Sequence, residues 1–502
     1  MASCGDGFGA LCFGLTRRPP MPEKPKTVTL EVPAELAAKI QAMLDHVADF
    51  QAKAKLPGAD FAAAEVRLGE LVADLEGADL GFMLAALDPT EERVEVDGRS
   101  YRRLNQDAAE TYLGLRGSAR VNRGLYRDEH IRNGPTVVPL ELRAGIAEGR
   151  YTPAAAKLAG VMAQEMPSRS ADLVCRSAGV LPQGRASHFR VGTAVGERWE
   201  EIREAAEPAL VEGMTLPDGV AAASVSVDRV SLAMAEPRPV TIEDKAAGVK
   251  KPIAVNYRMA FSGALTLYDA DGEPMTAIRY AHVPEGGAVA LENSMRRDLE
   301  ILARRVPRLQ VVTLADGAPE MQSILDRVTV NVPVAARLVD FWHLAEHLGE
   351  AIKSTGEEAR DQLSDWKALL HERDDAIDII EVDLKKRAEN YAKGAVPGPL
   401  HSALTYVENR RERLRYASAR AAKLPIGSGT VEATGKAIVE VRMKPPGARW
   451  TPVGAQAIMG LRALVTSSTE RWDLAIAQVL QTYTKPVTPL PARAKTTRRK
   501  AT

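Results

Sequence analysis

From residue 222 the chain changes its period, and that change limits its fold more than any other feature. "AASVSVDRVSLAM" (222–234) alternates as a strand does. "IAVNYRMAFSGALTLYDADGEPMTAIRYAHV" (253–283) predicts two or three more strands, with a turn at Asp271-Gly272. A helix follows ("ALENSMRRDLEILARRV"), then the apolar strand "LQVVTLAD", a short helix ("GAPEMQSILDRV") and the strand "VAARLVD". Antiparallel-type strands that give way to strand–helix–strand units predict a mixed sheet with helices on its faces, an α/β architecture.

The remaining segments divide by pattern. Residues 1–26 read as a disordered leader. They lack a basic stretch before the apolar one, as a secretory signal requires, and Met21 is an alternative start. Residues 27–90 predict helices, from the three-and-four spacing of "PAELAAKIQAMLDHVADFQAKA". Residues 91–140 predict a small β element, signalled by the alternating runs around Asp97-Gly98. Residues 141–220 return to helix. "PSRSADLVCRSAGVLPQGRASHFRVGTAVGERW" has a turn at Ala178-Gly179-Val180, compatible with a DNA-binding helix-turn-helix. Residues 341–425 are helical and charged throughout, 426–482 helical again, and 483–502 a basic disordered tail.

Composition narrows the function classes. The length, 502 residues, has room for about two to four domains. No run of about eighteen apolar residues occurs, so no membrane partner is expected. The cysteines Cys4, Cys12 and Cys175 form no C-x-x-C pair, which leaves no disulfide framework or cysteine zinc knuckle and suits a cytoplasmic chain. The formal net charge is zero, yet residues 401–502 hold 18 Lys and Arg against 6 Asp and Glu. That asymmetry predicts a polyanion-binding face.

Three acids stand where acids are costly. Asp228 interrupts a strand otherwise fit for burial, and Asp316 ends "VVTLAD". A carboxylate there needs a partner or a metal, and sites in open α/β sheets form beyond the carboxyl ends of strands. Asp316 can equally cap the helix that follows it. Glu432 lies in the first turn of a helix opened by Gly427 and Gly429, and a first-turn Glu is also common in ordinary helices. Separately, "VDFWHLAEHLGE" contains His343, Glu346 and His347 as H-x-x-E-H, a zinc-protease signature that also needs a third ligand and a cleft.

"VSVD", "LADGA", "DFWHLAEHL", "PIGSGTVEA" and "RMKPPGARWTPVGAQAIMGLRAL" together resemble the signature blocks of ISKra-type insertion-sequence transposases. The resemblance covers roughly residues 220–475. It implies a DDE recombinase, distantly related to the Mutator and hAT groups. Its RNase H-like core would be formed by 221–340 and 426–482, with 341–425 as a helical insertion. It implies Asp228, Asp316 and Glu432 as catalytic, metal-holding acids, with Asp340 and His343 (D-x-x-H) in support. The sequence departs from the pattern at Arg229, where Gly is usual, at Pro319, where an aromatic is common, and in lacking an N-terminal cysteine pair.

The resemblance implies two Mg²⁺ ions, replaceable by Mn²⁺, with Asp228 bridging and Asp316 and Glu432 each completing one ion. Water attacks in the first cut, then the freed 3′-hydroxyl in strand transfer. The expected partners are double-stranded DNA (terminal inverted repeats and target) and further copies of the chain, a homo-oligomer on the DNA of a bacterial nucleoid. Lys436, Arg442, Lys444 and Arg449 are expected to line a phosphate track, and Trp450 to pack. By analogy, His343 is expected to support the active site or to contact DNA near the metals, and His347 to be a structural histidine of the insertion. The competing readings are an inactive or domesticated DNA-binding relative and, remotely, the H-x-x-E-H protease. Elemental analysis separates the last: no zinc is expected, and a zinc content near zero would end the protease reading.

Overall fold

The computed structural model describes residues 31–492 except 57, 105–106, 182–183, 357–358 and 393. The leader 1–26 and residues 493–502 lie outside the described residues. The chain divides into two units, Met1–Ala59 and Asp60–Thr502. The first contains one described helix, α1 (Ala34–Lys53).

The second unit begins with α2 (Phe61–Ala85), capped by the Asp60 side chain. The expected β element follows as β1 (Arg93–Val96), β2 (Arg99–Arg103), β3 (Ala108–Leu113), β4 (Ser118–Arg123), β5 (Tyr126–Asp128) and β6 (Thr136–Val137). Asp97 and Gly98 both have positive φ, as the tight turn between β1 and β2 requires. Next come α3 (Pro139–Ala144), α4 (Pro153–Glu165), α5 (Ser168–Ala178) and the 29-residue α6 (Arg185–Gly213). Gly179 closes α5 in the left-handed conformation. α5 and α6 form the expected helical hairpin, but α6 is not a free recognition helix. Val191, Val195, Trp199, Leu210 and Val211 bury one face along its length.

The mixed sheet is β7 (Ala222–Pro237), β8 (Ile253–Tyr268), β9 (Pro274–His282), β10 (Gln310–Ala315) and β11 (Val334–Val339), in the order β11-β10-β7-β8-β9. β7, β8 and β9 are antiparallel neighbours, while β10 lies parallel to both β7 and β11. The short α7 (Ile242–Ala246) links β7 to β8. α8 (Gly287–Arg305) and α9 (Pro319–Val328) cover one face through Leu291, Met295, Ile324 and Leu325. The insertion covers the other: α10 (Phe341–Ser354), α11 (Ala359–Glu372), α12 (Ala376–Glu389), α13 (Gly398–Arg410) and α14 (Ala417–Ala421) share a core with Val312, Leu314 and Leu338.

The chain then returns to the sheet as α15 (Gly429–Gly435), a π-helical turn (Lys436–Glu440) and α16 (Val441–Met443). It ends in α17 (Pro452–Ser467), α18 (Thr469–Gln481) and β12 (Thr488–Leu490). β12 corrects the expectation of a disordered tail from 483. It pairs antiparallel with β1, and Val487 joins the buried cluster of Val94, Val96, Tyr101 and Tyr126. Pro489 is tolerated because β12 is an edge strand.

α6 lies so close to α17 that a Cβ on Gly196 would stand 2.5 Å from the Ala457 carbonyl oxygen. Alanine ordinarily favours a helix by about 1 kcal/mol over glycine. Here the clash with backbone decides the sign, and Gly196→Ala is expected to cost about 1–3 kcal/mol in urea unfolding. A more stable variant would contradict this contact.

Candidate active site

Strand register brings the acids together. Leu314 pairs with Ser226, so two residues further along each strand Asp316 stands level with Asp228. Ala315 pairs with Val339, so Asp316 is also level with Asp340. Asp316 and Asp340 thus follow the last residues of β10 and β11, and Asp228 lies within β7 just beyond where its pairing with β10 stops. α15 packs across β7 and β8 and carries Glu432 in its first turn. Gly435 permits that packing, because a Cβ there would lie 2.8 Å from Val230 Cγ2.

The charges of these groups reach one another. Burial pushes the Asp228 carboxyl above its ordinary value, and the Asp316 charge adds to that, against the lowering effects of the Arg229 N–H and His343. Glu432, exposed at the start of α15, is likewise raised, by partial loss of hydration and then by Asp340 and Asp228, with His343 opposing. One oxygen of each aspartate is engaged locally: Arg229 N–H donates to Asp228 (2.6 Å) and Ala318 N–H to Asp316 (2.8 Å). Among the described residues, no three Asp, Glu, His or Cys side chains stand close enough together to hold a metal ion. The acids form a mutually repelling group rather than a closed coordination shell. Their hard oxygen donors suit Mg²⁺ or Mn²⁺, and a cation among them would offset the repulsion.

Asp340 has a different task. Its carboxylate is buried and accepts from the His343 N–H (2.8 Å), the Ser428 N–H and the Ser428 hydroxyl (2.8 Å). It caps α10 and ties that helix to the loop that leads into α15. Gly427 passes tightly beneath Trp342, where a Cβ would come within 3.2 Å of the indole. Asp340 thus connects the strand ends to the backbone that positions Glu432.

The H-x-x-E-H residues lie along α10. His343 Nδ1 lies 3.9 Å from Glu346, and the His343 and His347 rings meet edge to face at 5.0 Å. Burial, then the His343 charge, lower the His347 pKa. Its ring packs on Tyr406, 4.2 Å between centroids. The Tyr406 hydroxyl donates to the Asp316 carbonyl (2.7 Å), and Arg410 Nε donates to the Gly317 carbonyl (2.7 Å). Burial holds the Tyr406 phenol well above its usual pKa, so it remains a proton donor. Tyr406, Arg410 and Ser428 were not expected from sequence, which carries no local sign that α13 folds back against the end of β10.

Of the expected phosphate track, Lys436, Lys444 and Arg449 are exposed. Arg442 is not part of it. It is buried, donates to the Ala163 carbonyl from Nε (3.0 Å) and from a terminal nitrogen (2.6 Å), and lies 5.0 Å from the Trp450 ring. Burial and Arg462 lower its pKa to about 10. The apolar residues around it, Met443 and Trp450, turn the helix so that Arg442 faces inward. Trp450 packs as expected and donates from its indole to the Met443 carbonyl.

No family model and no curated protein matches the chain. One solved structure similar to it is the Drosophila P element transposase strand transfer complex, at 11% identity. The likeness covers 66% of this chain and 79% of that chain, with a TM-score of 0.24. At that score it bears on neither fold nor activity.

The raised Asp228 carboxyl makes a prediction with a definite sign. A group raised in the folded state contributes stability that is complete below its unfolded value and lost as pH climbs through its folded value. At neutral pH the ionised Asp228 therefore weighs against folding. Without divalent cations, Asp228→Asn is expected to melt above the wild type at pH 7, and the gap to close below about pH 4. A variant that melts lower at pH 7 would contradict the crowding of charge.

Proposed function

We propose that this chain is a DDE transposase of the ISKra type, built on an RNase H-like core. It cuts duplex DNA at the terminal inverted repeats of an insertion sequence and joins the freed ends to target DNA. One observation supports the reading: the parallel register puts Asp316 level with Asp228, and the charges of Asp316 and of Glu432's neighbours Asp340 and Asp228 raise the carboxyls of Asp228 and Glu432. The sheet order supports the core assignment, with three antiparallel strands, two parallel ones and helices on both faces.

Two Mg²⁺ or Mn²⁺ ions held by Asp228, Asp316 and Glu432 would activate the attacking oxygen and stabilise the leaving one. The chain's own work is positional. Parallel pairing keeps Asp228 and Asp316 level. Asp340, through Ser428, sets the start of the helix that presents Glu432. His343 places an imidazole beside the acids, where its charge favours their ionised forms. Displacement at phosphorus needs no covalent enzyme–DNA intermediate, so no serine or tyrosine nucleophile is assigned. Lys436, Lys444 and Arg449 bind backbone phosphates, an interaction that weakens as salt rises. Two DNA ends require two such centres, so the chain works as a homo-oligomer on DNA, in the bacterial cytoplasm and on the nucleoid.

The test is nicking of supercoiled plasmid with Mg²⁺ or Mn²⁺. Asp228→Ala, Asp316→Ala and Glu432→Gln are each expected to lose on the order of 10³-fold in rate, the equivalent of about 4 kcal/mol of transition-state stabilisation. Their DNA binding, followed by gel shift, should persist. Nicking that survives Asp228→Ala would overturn the assignment.

A further inference from the structure

Asp316 stands where its strand has ended. β10 stops at Ala315, and the chain turns through Gly317 at φ +86° into α9. The local hold on this turn is the Ala318 N–H bond to the Asp316 carboxylate. The other hold comes from about ninety residues downstream, in the insertion. Tyr406 and Arg410, one helical turn apart on α13, donate to the consecutive carbonyls of Asp316 and Gly317, each at 2.7 Å.

The two donors are themselves braced. The Arg410 guanidinium lies 4.2 Å from the centre of the Tyr406 ring, and the His347 ring lies 4.2 Å from it. A Cβ on Gly317 would stand 2.4 Å from Arg410 Nε, so the backbone has been brought as close as glycine allows. The H-x-x-E-H stretch thereby gains a use: its second histidine supports the tyrosine that holds an acid.

We infer that Tyr406 and Arg410 are positioning residues that fix the orientation of the Asp316 carboxylate, so that the helical insertion forms part of the active site. They touch the backbone of the acid rather than the substrate, and so are not catalytic residues. Peptide rotation at Asp316 would swing its carboxylate away from Asp228. Gripping two successive carbonyls blocks that rotation. The inference deepens the proposed function and rests on it for the role of Asp316.

The test uses the full chain with Tyr406→Phe, which keeps the ring, and Arg410→Lys, which keeps the charge but loses the guanidinium geometry. Hydrogen exchange of a peptide spanning 312–320 is the first readout. Local opening there is expected to rise about tenfold in each variant, the equilibrium worth of about one hydrogen bond. Peptides from α10 and α12 should exchange as in the wild type. The second readout is the half-saturation of the thermal shift produced by Mn²⁺ alone, with Asp316→Asn as reference. It is expected to rise about tenfold in Tyr406→Phe. Nicking should fall in kcat at unchanged KM for DNA. Unchanged exchange in the 312–320 peptide would overturn the inference, whatever Mn²⁺ does. A wild type with no Mn²⁺ response that Asp316→Asn removes would instead sink the metal reading of the acids, and the exchange result would still decide the clamp.

Discussion

The parallel pairing of β10 between β7 and β11 is the constraint from which the rest follows. β10 and β11 end together while β7 runs on to Pro237, and the register Leu314–Ser226 and Ala315–Val339 leaves Asp316 level with both Asp228 and Asp340. Parallel strands also require crossovers. Here α9 supplies one between β10 and β11, and α8 carries the chain from the antiparallel edge back to β10. A slip of one residue in either pairing would turn an acid to the opposite face of the sheet. Position along the strand and direction of the side chain are therefore set by the same hydrogen bonds.

Charge crowding is the cost of that register. Asp228 and Glu432 are both held above their ordinary pKa, chiefly by loss of hydration and then by neighbouring acids. Asp340 accepts hydrogen bonds from Ser428 and the His343 N–H, which turns a buried acid into a joint. The site therefore contains acids of two kinds. One satisfies its lone pairs within the protein and ties the loop before α15 to α10. The others, Asp228 and Glu432, face neighbouring charges that raise their carboxyls.

Much of this arrangement was legible in the residues. The alternation in 222–283 and the apolar runs at 310 and 334 marked all five strands of the main sheet, and Asp228 and Asp316 stood out because carboxylates there are costly. The small β element showed in its turn at Asp97-Gly98. Arg442 was misplaced because a cation near other cations reads as surface, whereas only packing reveals that Trp450 and the Ala163 carbonyl enclose it. β12 was missed because a three-residue strand rich in proline acquires its partner from β1, nearly four hundred residues earlier.

The sequence by itself determined the order of strands and helices, the positions of the acids relative to strand ends and the presence of a helical insertion, since all of these are written in local period and local cost. Only the tertiary structure decided which side chains serve the acids. Ser428 reaches Asp340, Tyr406 reaches Asp316 and Arg410 reaches Gly317 across 88, 90 and 93 residues. Hydrogen bonds of that span leave no periodic trace in a chain, because they depend on how whole helices pack and not on what stands next to what.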